Sequence, residues 1–359
     1  MQKKTDLRNL DQKGLVQFVE SLGQPAFRGK QMMPWLYRHG IREICQMTDL
    51  AKSFRAALEE HAFISHFSDP ILEKSSDGTV KFGFRLHDGH VIESVLIPEP
   101  DRNTLCISSQ VGCAMHCTFC LTGTMGFSRN LSAAEIVNQV IAVRDYLAAE
   151  AEEDLIGPRA VTNLVYMGMG EPLNNLENVL TSLSILTEQK GLDLTGRRIT
   201  VSTCGIVPKM HELGELSTCN LAISLHAVDN ETRSSLMPVN KIYPLEELLE
   251  TCRTFPMPKR RRIMFEYLLL DGVNDSDAEA RELARKLRDI PCKINLLQYN
   301  QCPQLSYRSS SMARILTFQK ILRDAHYSVF IRSSRGADIL AACGQLAGET
   351  TSIEGDSHA

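Results

Sequence analysis

"GCAMHCTFCLTG", residues 112–123, places three cysteines within eight positions at C-x3-C-x2-C spacing. It follows "TLCISS", residues 104–109, a short β-rich run that reads as a strand. A structural zinc site asks for four protein ligands, usually as two cysteine pairs far apart in sequence. Here one group of three stands alone, with His116 as the residue that would complete a zinc site. A cubane [4Fe-4S] cluster has four iron corners, so three thiolates from one loop leave one iron open to a small ligand. The spacing favours the open cluster over zinc or over incidental buried thiols.

Outward from this stretch, β-rich runs recur: "NLVYMGMG", "RITVSTCG", "NLAISLHA", "RIMFEYLLLDG", "KINLLQYN" and "SVFIRSS". Most are separated by helical stretches such as "SAAEIVNQVIAVRDYLAAE", where Ser132 and Glu135 have capping-box spacing, and "SDAEARELARKLRDI". Strand and helix repeating about six times imply an α/β domain with a parallel sheet, open or closed into a full or partial barrel. In either form functional groups gather at the carboxyl ends of the strands.

Before the cluster, residues 63–98 read as a β-meander, with "ILEKSS", "TVKFGFRL" and "HVIESVLIP" separated by Asp77-Gly78 and Asp88-Gly89 turns. Residues 1–62 read as a small helical domain, with Leu15, Phe18, Val19, Leu22, Met32, Met33, Trp35, Leu36, Leu50, Phe54 and Leu58 at helix-like spacings. The main domain is expected over 99–346, and 347–359 reads as a polar, disordered tail. With 359 residues the chain fits one large α/β domain plus an accessory unit. The absence of an apolar leader or of a membrane-length apolar run makes a soluble, cytoplasmic protein the expectation. Eleven scattered cysteines argue for reduced thiols rather than a disulfide framework. A net charge of -4 excludes a globally basic nucleic-acid coat and leaves room for a local basic patch.

The C-x3-C-x2-C spacing after a first strand is the signature of the radical S-adenosylmethionine (SAM) enzymes. Together with "MGMGEPLNN", "AISLHAVDNETRSSLMPVNKIYPL", "LLLDGVND" and "SRGADILAACGQLAG", the cluster stretch resembles the RlmN/Cfr family of RNA adenine methyltransferases. The segments "FRGKQMMPWLY" and "MTDLAKSFR" are similar to that family's N-terminal accessory domain, so the resemblance spans nearly the whole chain. It implies a partial (β/α)6 TIM-type radical SAM barrel behind a small helical RNA-binding domain.

By the same resemblance, Cys113, Cys117 and Cys120 hold a [4Fe-4S] cluster. Gly170, Glu171, Ser202, Ser224, Leu225, His226 and Asn300 match SAM-contacting positions. Cys343 matches the methyl-carrying cysteine, Cys106 its partner, and Glu93 the proton acceptor. Read alone, Glu93 in an alternating strand would face solvent and Cys343 would be a small buried thiol. The family's chemistry uses two SAM molecules per turnover. One methylates the Cys343 thiolate by displacement. The other yields a radical that activates the methyl group toward adenine, a ring whose carbon 2 is too electron-poor for displacement. Attack of Cys106 on Cys343 then frees the product as a disulfide forms, and a reductant restores the thiols.

The implied substrates are an adenosine in the peptidyl-transferase region of 23S rRNA and the adenosine 3′ of the tRNA anticodon. A flavodoxin or ferredoxin system is the implied electron donor, and the enzyme is expected to act as a monomer away from membranes. Lys259 to Arg262 and Arg28, Lys30, Arg38 and Arg42 are candidate phosphate contacts. The target base must be unpaired, since stacking hides its carbon 2. Two departures from the family pattern, "LLQYNQCP" and Leu340, lie beside Asn300 and Cys343. They bear on substrate choice, where the alternative is carbon-8 methylation as in the Cfr enzymes. "SRGADI" reads more like the carbon-2 branch.

Overall fold

The computed structural model describes residues 4–150, 161–302 and 304–347. Of the expected polar tail, 347–359, Ala347 is ordered on Glu93 and the rest lies outside the described residues. At the N-terminus, helices α1 (Gln12–Ser21), α2 (Phe27–Met33) and α3 (Lys52–His61) form the expected bundle. Asp11 caps α1 by accepting from the Gly14 N–H, and Leu15, Val19, Met32, Met33, Phe54 and Leu58 turn inward and are buried. The ends of the bundle are tied by a parallel pair, β1 (Thr5–Asp6) with β2 (Ala62–Phe63). Two-residue strands leave no alternation to detect, so helical spacing alone does not reveal them.

The meander follows as β3 (Ile71–Lys74), β4 (Val80–Arg85) and β5 (Val91–Glu99), with Gly78 and Gly89 at positive φ in its two turns. It then pairs antiparallel onto β6 (Arg102–Cys106), so the meander extends the main sheet. From β6 the chain passes through β7 (Gln110–Gly112), α4 (Leu121–Thr124), β8 (Phe127–Asn130) and α5 (Ala133–Glu150) to β9 (Asn163–Tyr166). Then come α6 (Leu176–Thr187), β10 (Ile199–Thr203), α7 (Val207–Leu216), β11 (Asn220–Ser224), α8 (Asn230–Leu236) and α9 (Leu245–Thr254). The rest is β12 (Ile263–Leu269), α10 (Asp277–Lys286), β13 (Cys292–Gln298), α11 (Met312–Asp324) and β14 (Val329–Arg332).

One ten-stranded sheet runs β14-β13-β12-β11-β10-β9-β6-β5-β4-β3. Every pairing from β6 through β14 is parallel. The sheet is open, and the "SVFIRSS" run supplies a seventh parallel strand beyond the six of the expected partial barrel. The expected capping box at the start of α5 is present, Ser132 and Glu135 each accepting from the other's backbone N–H.

Helix α5 is buried on nearly every side because it lies between the sheet and the N-terminal bundle. Toward the sheet, Gln139 accepts from the Ser94 hydroxyl at 2.7 Å and the Ser108 N–H at 2.8 Å. Toward the bundle, Asn138 accepts from buried Arg8 at 2.7 Å, whose guanidinium also donates to the Ser65 and Ile41 carbonyls. Leaving any of these buried groups unpaired would cost roughly 1–3 kcal/mol, so the polar ties fix the helix in one register. Since the Ser94 side chain points at α5, its alternating neighbours Glu93 and Val95 point to the opposite face of the sheet.

Candidate active site

The cysteine loop is clamped by the antiparallel pair β7–β8. Gly112 stands at φ +72, and a Cβ there would lie 2.0 Å from the Gly126 carbonyl oxygen, so only glycine allows the clamp to close. The Cys113 N–H donates to that same carbonyl at 2.8 Å. Arg129 anchors β8 by pairing with both oxygens of Glu135 at 2.9 Å and with Asp88 at 2.5 Å. Further along, the Thr118 N–H donates to the Leu236 carbonyl at 2.9 Å, docking the loop on the end of α8.

Cys113 is buried, and Cys117 and Cys120 are half-buried. Burial is the first cause that raises all three thiols, taking Cys113 up to about 12. For Cys117 the next causes are Cys120 and Cys113; for Cys113 the Met115 N–H opposes the rise while Glu171 and then Cys120 add to it, and for Cys120 hydrogen bonds from Gly123 and Thr122 oppose it. Without a metal they are protonated at neutral pH, and metal loading must release protons. Among the described residues, no three His, Cys, Asp or Glu side chains are drawn together tightly enough for a single metal ion. His116, the zinc alternative, is exposed at φ 52. Three thiols on one loop, with no fourth protein ligand beside them in the sequence, fit a cubane, whose ligated irons sit at separate corners.

The other expected residues line the carboxyl ends of the strands. Gly170, at φ +98 just past β9, is pressed on Gln110, whose Cβ a side chain at 170 would meet at 2.5 Å. Glu171 is buried; its oxygens accept from the Leu173 N–H at 3.0 Å and the Cys204 N–H at 2.8 Å, tying the end of β9 to that of β10. Burial raises its carboxyl, and the two amides oppose the rise. Ser202 on β10 and Ser224 at the end of β11 are half-buried. Leu225 is a core side chain. His226 is buried at φ 58 and packs edge-on against Phe119 of the cysteine loop at 4.9 Å. Its Nδ1 accepts from the Leu268 N–H at 3.0 Å, which assigns the ring proton to Nε2. Burial, then Arg233, lowers His226 to about 3 and keeps it neutral.

Residues 334–347 cross from the end of β14 to the meander at the far edge of the sheet. Arg335 donates to the Pro98 carbonyl at 3.0 Å, and Asp338 accepts from the Ser75 hydroxyl at 2.6 Å and the Ser76 N–H at 3.1 Å. On the way the segment touches the cysteine loop: Leu121 N–H donates to Gly344 O at 2.8 Å, and the Thr122 hydroxyl to Leu346 O at 2.6 Å. Asn300, just past β13, donates to the Cys343 carbonyl at 3.4 Å. Cys343 is open to solvent but surrounded by protein, and burial, then Glu266 and Cys120, pushes its thiol up to about 11. Cys106 ends β6; burial raises its thiol and charge at Cys343 raises it further, so the two thiols sense one another. Both are free thiols. Glu93 is 1 % exposed, not solvent-facing as its strand pattern alone suggests. It sits 3.5 Å from the Lys81 Nζ and accepts from the Ala347 N–H at 2.9 Å.

Residues 5–64 match the model of the ribosomal RNA large subunit methyltransferase N-terminal domain, and residues 107–284 that of the radical SAM superfamily. The chain is 72 % identical over 349 residues to "Dual-specificity RNA methyltransferase RlmN" of Desulfotalea psychrophila, covering 97 % of this chain and 96 % of that protein. This chain belongs to the RlmN family. The RlmN protein of Geobacter sulfurreducens is 52 % identical, covering 97 % of this chain and 94 % of the relative. A radical SAM methyltransferase from Sphaerobacter thermophilus of known crystal structure aligns with a TM-score of 0.87 at 42 % identity, covering 96 % of this chain and all of that one. This RlmN-family chain is therefore a SAM-dependent RNA methyltransferase with the radical SAM fold, and the family implies SAM and a [4Fe-4S] cluster.

Some residues of this RlmN-family site escape sequence reading. Arg233 of α8 is fully buried and donates to the Leu225, Cys204 and Ser224 carbonyls and to Asn240, binding the ends of β10 and β11. Its motif was visible, but nothing in the spacing says that this arginine turns inward. Glu266 and Asn295 lie side by side on β12 and β13, joined at 2.8 Å, and burial lifts Glu266 to about 7. A glutamate amid the apolar run "IMFEYLLL" was the available signal.

Proposed function

We propose that the protein methylates carbon 2 of an adenosine in the peptidyl-transferase region of 23S rRNA and of the adenosine 3′ of the tRNA anticodon, with Cys343 as the methyl carrier. The observation that supports this best is the seating of the Cys343 segment against the cysteine loop, through the Leu121–Gly344 and Thr122–Leu346 hydrogen bonds. Cys113, Cys117 and Cys120 hold the cluster, and Gly170, Glu171, Ser202, Ser224, Leu225, His226 and Asn300 form the SAM site. When bound, cluster and SAM together supply a radical able to take hydrogen from a methyl group. Every other task falls to the chain.

Cys343 accepts the methyl group by displacement, which needs the thiolate of a thiol that burial holds up to about 11. Proton removal is therefore part of that step. A second SAM is consumed in activating the methyl group, making two per turnover. Glu93 takes the ring proton, and Cys106 releases the product by forming a transient disulfide with Cys343. The residue 1–62 bundle holds the RNA while the target adenosine is splayed from its stack. A flavodoxin or ferredoxin system supplies electrons to a monomeric, cytoplasmic enzyme; among the described residues no helix is long and apolar enough to cross a membrane.

Mass spectrometry of nucleosides from a strain lacking the gene, with and without its restoration, tests the reading. The expected result is loss and return of 2-methyladenosine in both RNAs. A response of 8-methyladenosine alone transfers the assignment to the Cfr-like reaction, and no response in either overturns the substrate assignment. Replacing Cys343 with Ala should abolish RNA methylation while iron binding persists; normal methylation by that variant would remove Cys343 from the chemistry.

A further inference from the structure

A lysine is buried on β4 beside the site residues. Lys81 has a side chain only 5 % exposed, with its Nζ 3.0 Å from Glu73 Oε1 and 3.5 Å from Glu93 Oε1. Buried ion pairs are a poor route to stability, because desolvation offsets most of the attraction. A methionine would fill similar space without that cost. The placement of the three charges is informative. Lys81 pairs with Glu73 on β3 and with Val95 on β5, and Val95 pairs with Cys106 on β6. Glu73, Lys81, Val95 and Cys106 thus form one row across the sheet, and Glu93 stands one pleat along on the same face. The second oxygen of Glu93, Oε2, accepts from the N–H of Ala347, four residues past Cys343.

We propose that Lys81 is a positioning residue for Cys343: by fixing Oε1 of Glu93 it directs Oε2 to the Ala347 N–H, and so seats the C-terminal segment opposite Cys106. An unrestrained carboxylate could rotate about its terminal torsion, which is broad and weakly held. The ammonium adds a restraint on that torsion at Oε1, and Glu73 pairs with the same ammonium at 3.0 Å. Seating in this way matters because reactive groups misplaced by small distances lose large factors in rate. The kinetic consequence rests on the reading of Cys343 as methyl carrier; the seating itself does not.

The test uses the full-length, cluster-loaded protein under anaerobic conditions, with Lys81→Met, Lys81→Arg and Glu93→Ala. Hydrogen exchange over residues 341–347 and peptide-resolved alkylation of Cys343 are read alongside RNA methylation. Lys81→Met and Glu93→Ala should each speed exchange at Ala347 by about ten-fold, a local opening rather than global unfolding. Their combination should add little, since both act through one contact. Lys81→Arg should restore most of the protection, and Lys81→Met should lower kcat with the KM for RNA unchanged. Parental exchange in Lys81→Met, with faster exchange in Glu93→Ala, overturns the role of Lys81; parental exchange in both overturns the anchor altogether. If Lys81→Met does not fold, an arginine variant exchanging as fast as Glu93→Ala is the overturning result. Should Cys343→Ala still methylate RNA, the methyl-carrier reading fails while the exchange pattern continues to decide the seating.

Discussion

The cysteine loop and the C-terminal segment both bring thiols to the carboxyl ends of the strands, but they are built in opposite ways. The loop is local: Cys113, Cys117 and Cys120 lie within eight positions, clamped by β7 and β8 over residues 110–130. The C-terminal segment is assembled at long range, Arg335 reaching Pro98 across 237 positions, Ala347 reaching Glu93 across 254 and Asp338 reaching Ser75 across 263. A site made of near neighbours carries its geometry in its spacing. One made of distant partners does not, because the register of every intervening strand must be known first.

The largest expected effect tests the local half. Cys117→Ala removes one of the three thiols and leaves the loop's backbone ties through Cys113 and Thr118 untouched. Iron and the visible absorption of the purified protein should fall to background, and RNA methylation should become undetectable, while thermal unfolding stays cooperative. Retention of full iron would mean that the loop does not hold the cluster, and the contrast between the two regions would lose its first term.

Legibility follows the same division. The parallel sheet, the meander turns at Gly78 and Gly89 and the Ser132–Glu135 capping box all rest on periodicity or on residues within a few positions of each other, and each is present. Glu93 shows the limit. Alternation in "HVIESVLIP" assigns it a face, but only pairing with β4 and β6 makes that face interior, where the buried carboxylate meets Lys81 of the neighbouring strand and the Ala347 N–H. Arg233 is illegible for a similar reason, since its partners are carbonyls at the ends of two other strands.

Between the two regions lies the sheet interior, where Glu266 gives a prediction of intermediate size. Burial raises its carboxyl from the ordinary 4.5 to about 7. The folded state therefore holds a proton that the unfolded state gives up, so this group's contribution to stability is fully present below about 4.5 and is lost as the pH rises to about 7. Glu266→Gln, which keeps an acceptor for Asn295 but cannot ionise, should flatten that decline. Its advantage over the parent should grow by about 2–3 kcal/mol from pH 4.5 to 8, read as a rising difference in anaerobic Tm. A difference independent of pH would show that Glu266 is ionised throughout.

The smallest effect sharpens the long-range half. Asp338 accepts from the Ser75 hydroxyl and from both the N–H and the hydroxyl of Ser76, a well-formed set of bonds at an exposed carboxylate. Water can replace each of them when the side chain is removed, and exposed charge contacts contribute little. The segment also keeps Arg335 on Pro98, Gly336 on Asp77, Leu346 on Thr122 and Ala347 on Glu93. Asp338→Ala should therefore speed hydrogen exchange near residues 336–340 by only a few-fold and leave Ala347 and RNA methylation near parental values. A loss as large as that of Glu93→Ala would mean that the segment is hung from its exposed end, and that the buried Lys81–Glu93 pair follows its position rather than setting it.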